Sequence, residues 1–242
     1  MRYWVFLLCW AWIGCTSALA SDVVNLAIGE WPPYTSEADA HSKLLEKVVV
    51  AAFKLEGLDV KFSYFPWKRS YLKTRDGSFD GTFPWSRTPE RENHFLFNKL
   101  ALVTDQSVYF HLKSTPFDWA TMDDLKQYKV GVTSGYKNEA VYKTQQIVAD
   151  AAPSEELNFK KLIAGRIDVY ETSKIVGYST IKKTLSPDQA ARFTHHPKVA
   201  EENDYYILFS RAIPNGQTLA DRFDSGLRKL KASGAYAKIL MP

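Results

Sequence analysis

The alternation of strand and helix patterns near the start of the chain restricts the fold more than any other feature. Residues 24–28 alternate apolar with polar or small side chains, which predicts a strand. Apolar residues then recur at helical spacing from 42 to 56, and Gly57 is placed to end that helix. Residues 60–64 alternate again. A strand, a helix and a strand joined by short connections favour parallel pairing, so we predict an α/β fold.

The same order of elements continues towards the C-terminus. Further helices are predicted at residues 68–75, 138–149, 155–164, 173–184 and 219–232, and further strands at 79–83, 108–112, 129–132, 167–170 and 205–209. A loop is expected at residues 84–89, where proline, serine and threonine cluster. The chain has 242 residues, which is long for one compact core and enough for two lobes of about a hundred residues each.

Residues 1–20 have the pattern of a secretory signal peptide. Arg2 precedes an apolar stretch at residues 3–13, and Ala18-Leu19-Ala20 fits a cleavage site. The apolar run is shorter than the roughly 20 residues that a membrane-spanning helix needs. We therefore expect cleavage after Ala20 and a protein that works outside the cytoplasm. Lipid attachment at Cys15, which follows a glycine, stays open as an alternative.

Charge, cysteine and histidine content argue against several classes of protein. The net charge is +4 and the basic residues are scattered, which gives no reason to expect a nucleic acid partner. Both cysteines, Cys9 and Cys15, lie in the predicted signal, so no disulfide is expected in the exported part. His195 and His196 are adjacent in a segment expected to be a solvated loop, and they have no third ligand nearby in sequence. We predict no metal, no cofactor and, because no nucleophile and base are recognisable together, no enzyme.

Six short motifs, in a fixed order, carry a family resemblance. They are Trp31-Pro32-Pro33-Tyr34, then Pro66-Trp67-Lys68-Arg69 with Gly77-Ser78-Phe79-Asp80-Gly81, Thr88-Pro89-Glu90-Arg91 with Phe95-Leu96-Phe97, residues 125–132 with Ser134-Gly135, Gly165-Arg166-Ile167-Asp168, and residues 234–239. Together they resemble the extracellular solute-binding proteins of family 3, the polar amino acid-binding components of ABC transporters.

This resemblance implies a two-lobed fold of the type II periplasmic binding protein kind. The chain would cross between the lobes twice and bind its ligand in the cleft between them. Lobe 1 would comprise residues 21–104 plus 201–242, and lobe 2 residues 105–200.

In that family an arginine pairs with the carboxylate of the ligand, and the matching position here is Arg91. Its planar guanidinium can donate to both carboxylate oxygens at once. Ser86 matches a hydroxyl residue that adds a hydrogen bond to the same carboxylate. The alternatives are that Arg91 pairs with Glu90 or Glu92 on the surface, and that Ser86 is an ordinary turn serine.

Aromatic residues concentrate in the predicted first lobe. Trp31, Trp67 and Trp85 each adjoin a proline in a predicted loop. Together with Tyr34 and Phe83 they are expected to line the cleft and to stack on a flat or cationic ligand. The alternative is that these rings only seal the loops of the lobe.

Candidate residues of the second lobe follow two strands. Residues 133–137 run from a strand into a helix, where backbone N–H groups near Ser134 are expected to hold an anionic ligand group, with Lys137 adding charge. The family's aspartate that accepts the ligand ammonium corresponds to Ser173 here, and Glu171 is a possible substitute. A ligand other than a standard α-amino acid therefore stays open.

We accordingly predict a monomeric periplasmic solute-binding protein that captures a small polar ligand bearing a carboxylate or an amine. Its partner would be an ABC permease. Two alternatives are a ligand sensor that presents its closed form to a membrane receptor, and a dehydratase-like enzyme on the same fold.

Overall fold

The computed structural model describes residues 23–240, so the predicted signal peptide and the alternative at Cys15 lie outside the described residues. Its strands are β1 (Val23–Ile28), β2 (Asp59–Tyr64), β3 (Gly81–Ser86), β4 (Phe95–Phe97), β5 (Val103–Leu112), β6 (Val130–Thr133), β7 (Ala149–Ala152), β8 (Val169–Ser173), β9 (Phe193–His195) and β10 (Glu201–Ser210). Its helices are α1 (Leu44–Lys54), α2 (Trp67–Arg75), α3 (Pro89–His94), α4 (Lys137–Thr144), α5 (Glu155–Ile163), α6 (Lys174–Thr184), α7 (Pro187–Ala190), α8 (Gly216–Ala232) and α9 (Ala235–Leu240), besides a 3₁₀ helix at Met122–Gln127.

The strands join in one curled sheet of order β2-β1-β3-β10-β5-β8-β6-β7, with β4 beside β10 and β9 beside β5. Strands β1 and β2 are parallel, as predicted, and Val24 lies opposite Val60. The mixed α/β class is therefore confirmed. Between residues 23 and 240 none of the helices is both long and apolar enough to span a bilayer.

Two lobes share this sheet. The core of the first is built mainly on β1, β3, α1 and α8, and the second lobe has its own buried clusters around β5, β6 and β8. The chain passes from the first lobe to the second along β5 and returns along β10. These two strands pair antiparallel, with Glu201 opposite Ser107 and Tyr205 opposite Val103. The exact lobe boundaries given above stay a prediction.

Three local predictions were wrong. The helix predicted at 138–149 ends at Thr144, because Gln146 adopts a positive φ of 57° and Ala149 begins β7 beside β6. Residues 84–86 are not a loop, since β3 continues to Ser86 and pairs with β10 there. His195 lies in β9, paired with β5, where a solvated loop was expected.

Close packing of α1 against α8 closes the outer side of the first lobe. Phe53 of α1 contacts the ring of Phe223 at a centroid distance of 5.2 Å. Gly226 of α8 lies against the backbone of α1, so that a Cβ atom at this position would be 2.0 Å from the carbonyl oxygen of Ala52. The absence of a side chain at Gly226 therefore sets how closely the two helices approach.

Candidate functional site

A cavity with about 570 Å³ of open space lies between the lobes, beside β5 and β10. Eight of the predicted site residues line it: Trp31, Trp67, Trp85, Ser86, Arg91, Lys137, Glu171 and Ser173. We call this space the inner cavity.

The remaining three predicted residues do not line the inner cavity. Tyr34 is buried behind Trp31, with ring centroids 5.0 Å apart. Phe83 is fully buried and packs on the ring of Phe62 at 5.7 Å. The backbone N–H of Ser134 donates to the carbonyl oxygen of Ala152 at 2.8 Å, in line with the pairing of β6 and β7.

Two further N–H groups of the predicted anion site are also already bonded. The N–H of Gly135 donates to the Glu139 carboxylate at 2.7 Å, and that of Tyr136 donates to the Thr133 carbonyl at 3.0 Å. The N–H groups of residues 134–136 are therefore not free to bind a ligand, and the predicted anion site is wrong for these three residues.

Three aromatic rings of the first lobe wall the cavity. Trp67 opens α2 and Trp85 lies in β3, so neither occupies the loop that was predicted for it. Their rings meet edge to face at 5.5 Å and 90°. Trp31 lies in the turn after β1 and packs on Tyr205 of β10 at 4.9 Å. These rings form an apolar wall of the cavity, and the face of Trp85 already carries the cationic guanidinium of Arg91 at 4.7 Å.

Arg91 is held in place at the start of α3. Its backbone N–H donates to the capping hydroxyl of Thr88 at 3.2 Å, which places the side chain over Trp85 at 4.7 Å. The guanidinium donates to the carbonyl and hydroxyl oxygens of Ser86, both at 2.9 Å, and to the carbonyl of Gly135 at 3.0 Å. Only 6% of the residue is exposed.

The charge of Arg91 has no protein counterion. Within residues 23–240 the guanidinium forms no ion pair, and Glu92 pairs instead with Arg87 at 3.0 Å. The surface alternative for Arg91 is therefore excluded for the part of the chain that the structure describes. Burial lowers the pKa of Arg91 to about 10, so the side chain still carries its charge at neutral pH.

Glu171 supplies the opposite charge from the second lobe. It lies on β8 and is 7% exposed. Its Oε2 accepts hydrogen bonds from the hydroxyl of Tyr142 at 2.6 Å and from the amide of Asn138 at 3.3 Å. Burial raises the pKa of Glu171 above its ordinary value. No lysine or arginine of residues 23–240 forms an ion pair with this carboxylate.

Lys137, by contrast, is already neutralised. Its ammonium forms an ion pair with Glu201 of β10 and a hydrogen bond to the side-chain oxygen of Asn203 at 3.3 Å. Both partners also line the inner cavity. Lys137 therefore joins α4 to β10, and contributes little net charge to a ligand.

Ser173, which replaces the family's aspartate, has a carboxylate behind it. Its hydroxyl donates to Asp105 of β5 and accepts from the N–H of Val176, which caps α6. Asp105 is 7% exposed, and burial raises its pKa. A carboxyl group is thus present at this end of the site, but it comes from the neighbouring strand.

Several cavity-lining residues were not predicted: Pro84, Ser107, Tyr136, Asn138, Thr172, Glu201, Asn203 and Tyr205. Three of them, Glu201, Asn203 and Tyr205, alternate along β10. Since alternate residues of a strand share a face, this spacing indicates that the three side chains lie on the same side of β10. The spacing identifies them as site residues only when β10 is known to lie beside the cleft.

A wider cavity continues outwards from the inner one. The two share Trp85, Arg91, Tyr136 and Lys137 in their walls, and the outer one is also lined by Lys68, Arg75 and Lys143. Its volume is about 1790 Å³ of open space. The approach to Arg91 is therefore predominantly basic, which favours arrival of an anionic group.

Comparisons with known structures agree with this architecture. A histidine kinase sensor domain with similarity to periplasmic binding proteins superposes with a TM-score of 0.76 at 19% identity, covering 91% of this chain and 94% of that one. The P235GK mutant of ArgBP from T. maritima gives 0.77 at 16% identity, covering 90% and 93%. AbpA from Streptococcus pneumoniae, an amino acid ABC transporter substrate-binding protein bound to L-arginine, gives 0.75 at 18%, covering 90% and 92%.

These similarities confirm the two-lobed fold and the cleft between its lobes. A search of curated protein sequences found no significant match. The family model described as bacterial extracellular solute-binding proteins, family 3, matches residues 30–241. The chain therefore belongs to the bacterial extracellular solute-binding proteins of family 3.

Proposed function

We propose that this protein captures a small amino acid-like solute in the periplasm and delivers it to an ABC permease. The observation that supports the proposal is a buried guanidinium and a buried carboxyl group on the wall of one cavity, neither of which pairs with an ion within residues 23–240. Arg91 presents a guanidinium with only neutral acceptors, and Glu171 presents a carboxylate with only neutral donors. A ligand with a carboxylate and a cationic group satisfies both.

The energetic reason is the cost of burying charge. Removing an ion from water costs several kcal/mol unless a partner of opposite charge compensates. A zwitterionic ligand supplies one partner of opposite charge to each side chain. Closure of the cleft around the ligand then strengthens both interactions, because it excludes water. An uncharged solute of the same size would leave both charges without a partner.

A second buried carboxyl group beside the cavity favours a ligand with an additional positive charge. This group is Asp105, which lies behind Ser173. One structural neighbour, an amino acid ABC transporter substrate-binding protein, is bound to L-arginine. L-Arginine is therefore the first probe to test.

A thermal-shift panel tests the proposal. We expect L-arginine, L-lysine or L-glutamine to raise the melting temperature, because a ligand that binds the folded state at about 100 times its Kd adds roughly 2.7 kcal/mol of stability. Succinate lacks the cation and putrescine lacks the carboxylate, so neither should shift the protein at the same concentration. A response to succinate or putrescine alone would contradict the two-charge site. Recovery of the bound solute unchanged after incubation checks the expectation that no reaction occurs.

Replacing Glu171 by glutamine should weaken binding of L-arginine about tenfold to a hundredfold, because a hydrogen bond to a charged group is lost while its shape is kept. The fold should persist, since a glutamine oxygen still accepts from Tyr142 and Asn138. Isothermal titration measures the affinity. Glu156→Gln is the matched control, because Glu156 forms a solvent-exposed ion pair with Lys160 on α5. Equal affinities for the wild type and Glu171→Gln would rule out Glu171 as the cation site.

The similarity to a histidine kinase sensor domain supports sensing as a second candidate. In that case the closed protein would be recognised by a membrane receptor. Neighbouring genes for a permease and an ATPase favour transport, whereas a kinase or cyclase gene favours signalling.

A further inference from the structure

A buried carboxyl group connects the two lobes directly behind the inner cavity. Glu155 is the first residue of α5 in the second lobe and is 6% exposed. Its Oε1 accepts three hydrogen bonds: from the indole N–H of Trp31 at 3.1 Å, the hydroxyl of Tyr136 at 3.0 Å and the hydroxyl of Thr172 at 2.6 Å. One oxygen atom thus holds side chains from three separate segments.

Each of those three partners lines the inner cavity, whereas Glu155 lies behind them. Trp31 belongs to the first lobe, and Tyr136 and Thr172 belong to the second. We propose that Glu155 is a positioning residue that fixes this part of the cavity wall, and that protonation of its carboxyl group favours the closed cleft. The effect on ligand capture rests on the proposed solute-binding function.

The surroundings of Glu155 favour its neutral form. Its Oε2 is buried and makes no hydrogen bond with the described residues. The free-energy cost of burying an oxygen without a hydrogen-bond partner is larger for an ionised carboxylate than for a neutral carboxyl group. Four titratable side chains face it: Tyr136, Tyr170 on β8, Tyr205 on β10 and Asp105 on β5. None of these four is a cation.

Burial, the largest cause, raises the pKa of Glu155 to about 7, and the negative charge of Asp105 acts in the same direction. Opening of the cleft would admit water and so remove the desolvation that raises the pKa. This effect is larger than the loss of the hydrogen bond from Trp31, which lowers the pKa, so the pKa would fall towards the usual value of about 4.3. The closed form therefore binds the proton more tightly. This contribution to closure is fully present below the open-form pKa and is lost as the pH rises through about 7.

The indole N–H of Trp31 reports directly on this contact and needs no ligand. In ¹H–¹⁵N spectra of the ligand-free wild type between pH 4 and 8, its signal should titrate with a midpoint between the open-form value of about 4.3 and the closed-form value of about 7, and Trp31→Phe assigns the signal. The signal should not titrate in Glu155→Gln. Trp85 is an internal control, because its indole N–H donates to the hydroxyl of Thr82, which does not ionise in this range. A Trp31 signal that is constant with pH, or that titrates equally in Glu155→Gln, would overturn the proposal.

Affinity supplies the second readout, with L-arginine as the probe. The wild type should bind at least tenfold more weakly at pH 8 than at pH 5.5. Glu155→Gln, a neutral isostere, should bind equally at both and more tightly than the wild type at pH 8, while Glu156→Gln should follow the wild type. A purely structural role would instead make Glu155→Gln weaker at both pH values, and that result overturns the proposal. If L-arginine binds none of the proteins, the arginine prediction fails and the indole titration still decides the role of Glu155.

Discussion

Replacement of Arg91 by alanine is expected to weaken binding of a carboxylate-bearing ligand such as L-arginine at least a hundredfold. The guanidinium is buried in the wall of the inner cavity and has no counterion among the described residues. It donates hydrogen bonds to the hydroxyl and carbonyl oxygens of Ser86. Loss of a buried charge-assisted pair costs about 2–5 kcal/mol, mainly because the ligand carboxylate would be left desolvated without a partner. Isothermal titration measures the loss.

Two further variants separate charge from geometry. Arg91→Lys keeps the charge but not the planar fork, so we expect an intermediate loss of about tenfold. Arg228→Ala is the matched control, because Arg228 is an exposed residue of α8 that lines neither cavity. Melting temperatures of all three variants distinguish lost binding from lost folding. Unchanged affinity in a folded Arg91→Ala protein would transfer the main role to the tryptophan wall.

Replacement of Gly226 by alanine is expected to destabilise the protein by about 3 kcal/mol. The added methyl group would lie 2.0 Å from the carbonyl oxygen of Ala52, which belongs to the backbone of α1 and cannot rotate away. Helix α8 would have to separate from α1, opening contacts such as that between Phe53 and Phe223. Overpacking of this kind typically costs 1–3 kcal/mol and occasionally more. Denaturant unfolding measures the change.

Helix propensity alone would predict that Gly226→Ala stabilises the protein. A measured loss of stability would therefore point to the close packing of α1 and α8. Alanine is favoured over glycine inside a helix by about 1 kcal/mol, so an open position would become more stable. Arg228→Ala, at an exposed position of the same helix, should change the unfolding free energy by less than about 0.5 kcal/mol. If Gly226→Ala matched Arg228→Ala, the close approach of α1 and α8 would not be a feature of the protein in solution.

Local patterns predicted the elements of this fold where periodicity was long. Helices α1, α5 and α8 were found within a few residues of their observed ends. Strand β7 was missed because its four residues are mostly alanine and follow a helical pattern without a glycine or proline. The extension of β3 was missed because Pro84 indicates a break, whereas pairing with β10 carries the strand past it.

The site was only partly predictable for a related reason. Arg91 lies in one short motif and Ser86 lies two residues before it, and the structure brings both to the cavity. Asp105 meets Ser173 only because β5 pairs with β8, a contact between residues far apart in sequence. Glu155 had no motif at all, since its importance comes from three partners in three different segments. Contacts between distant segments depend on strand pairing, which local patterns do not encode.

The two strands that carry the chain between the lobes also form part of the cavity wall. Ser107 lies on β5, and Glu201, Asn203 and Tyr205 lie on β10. A solute in the inner cavity would therefore contact the two strands that connect the lobes, and not the far ends of the lobes. A small difference in solute shape beside these strands would change the angle between the lobes slightly. Because the lobes are long, a small change in this angle would produce a larger displacement at their far surfaces. The proposed membrane partner, if it binds those surfaces, would thus distinguish solutes that it never contacts.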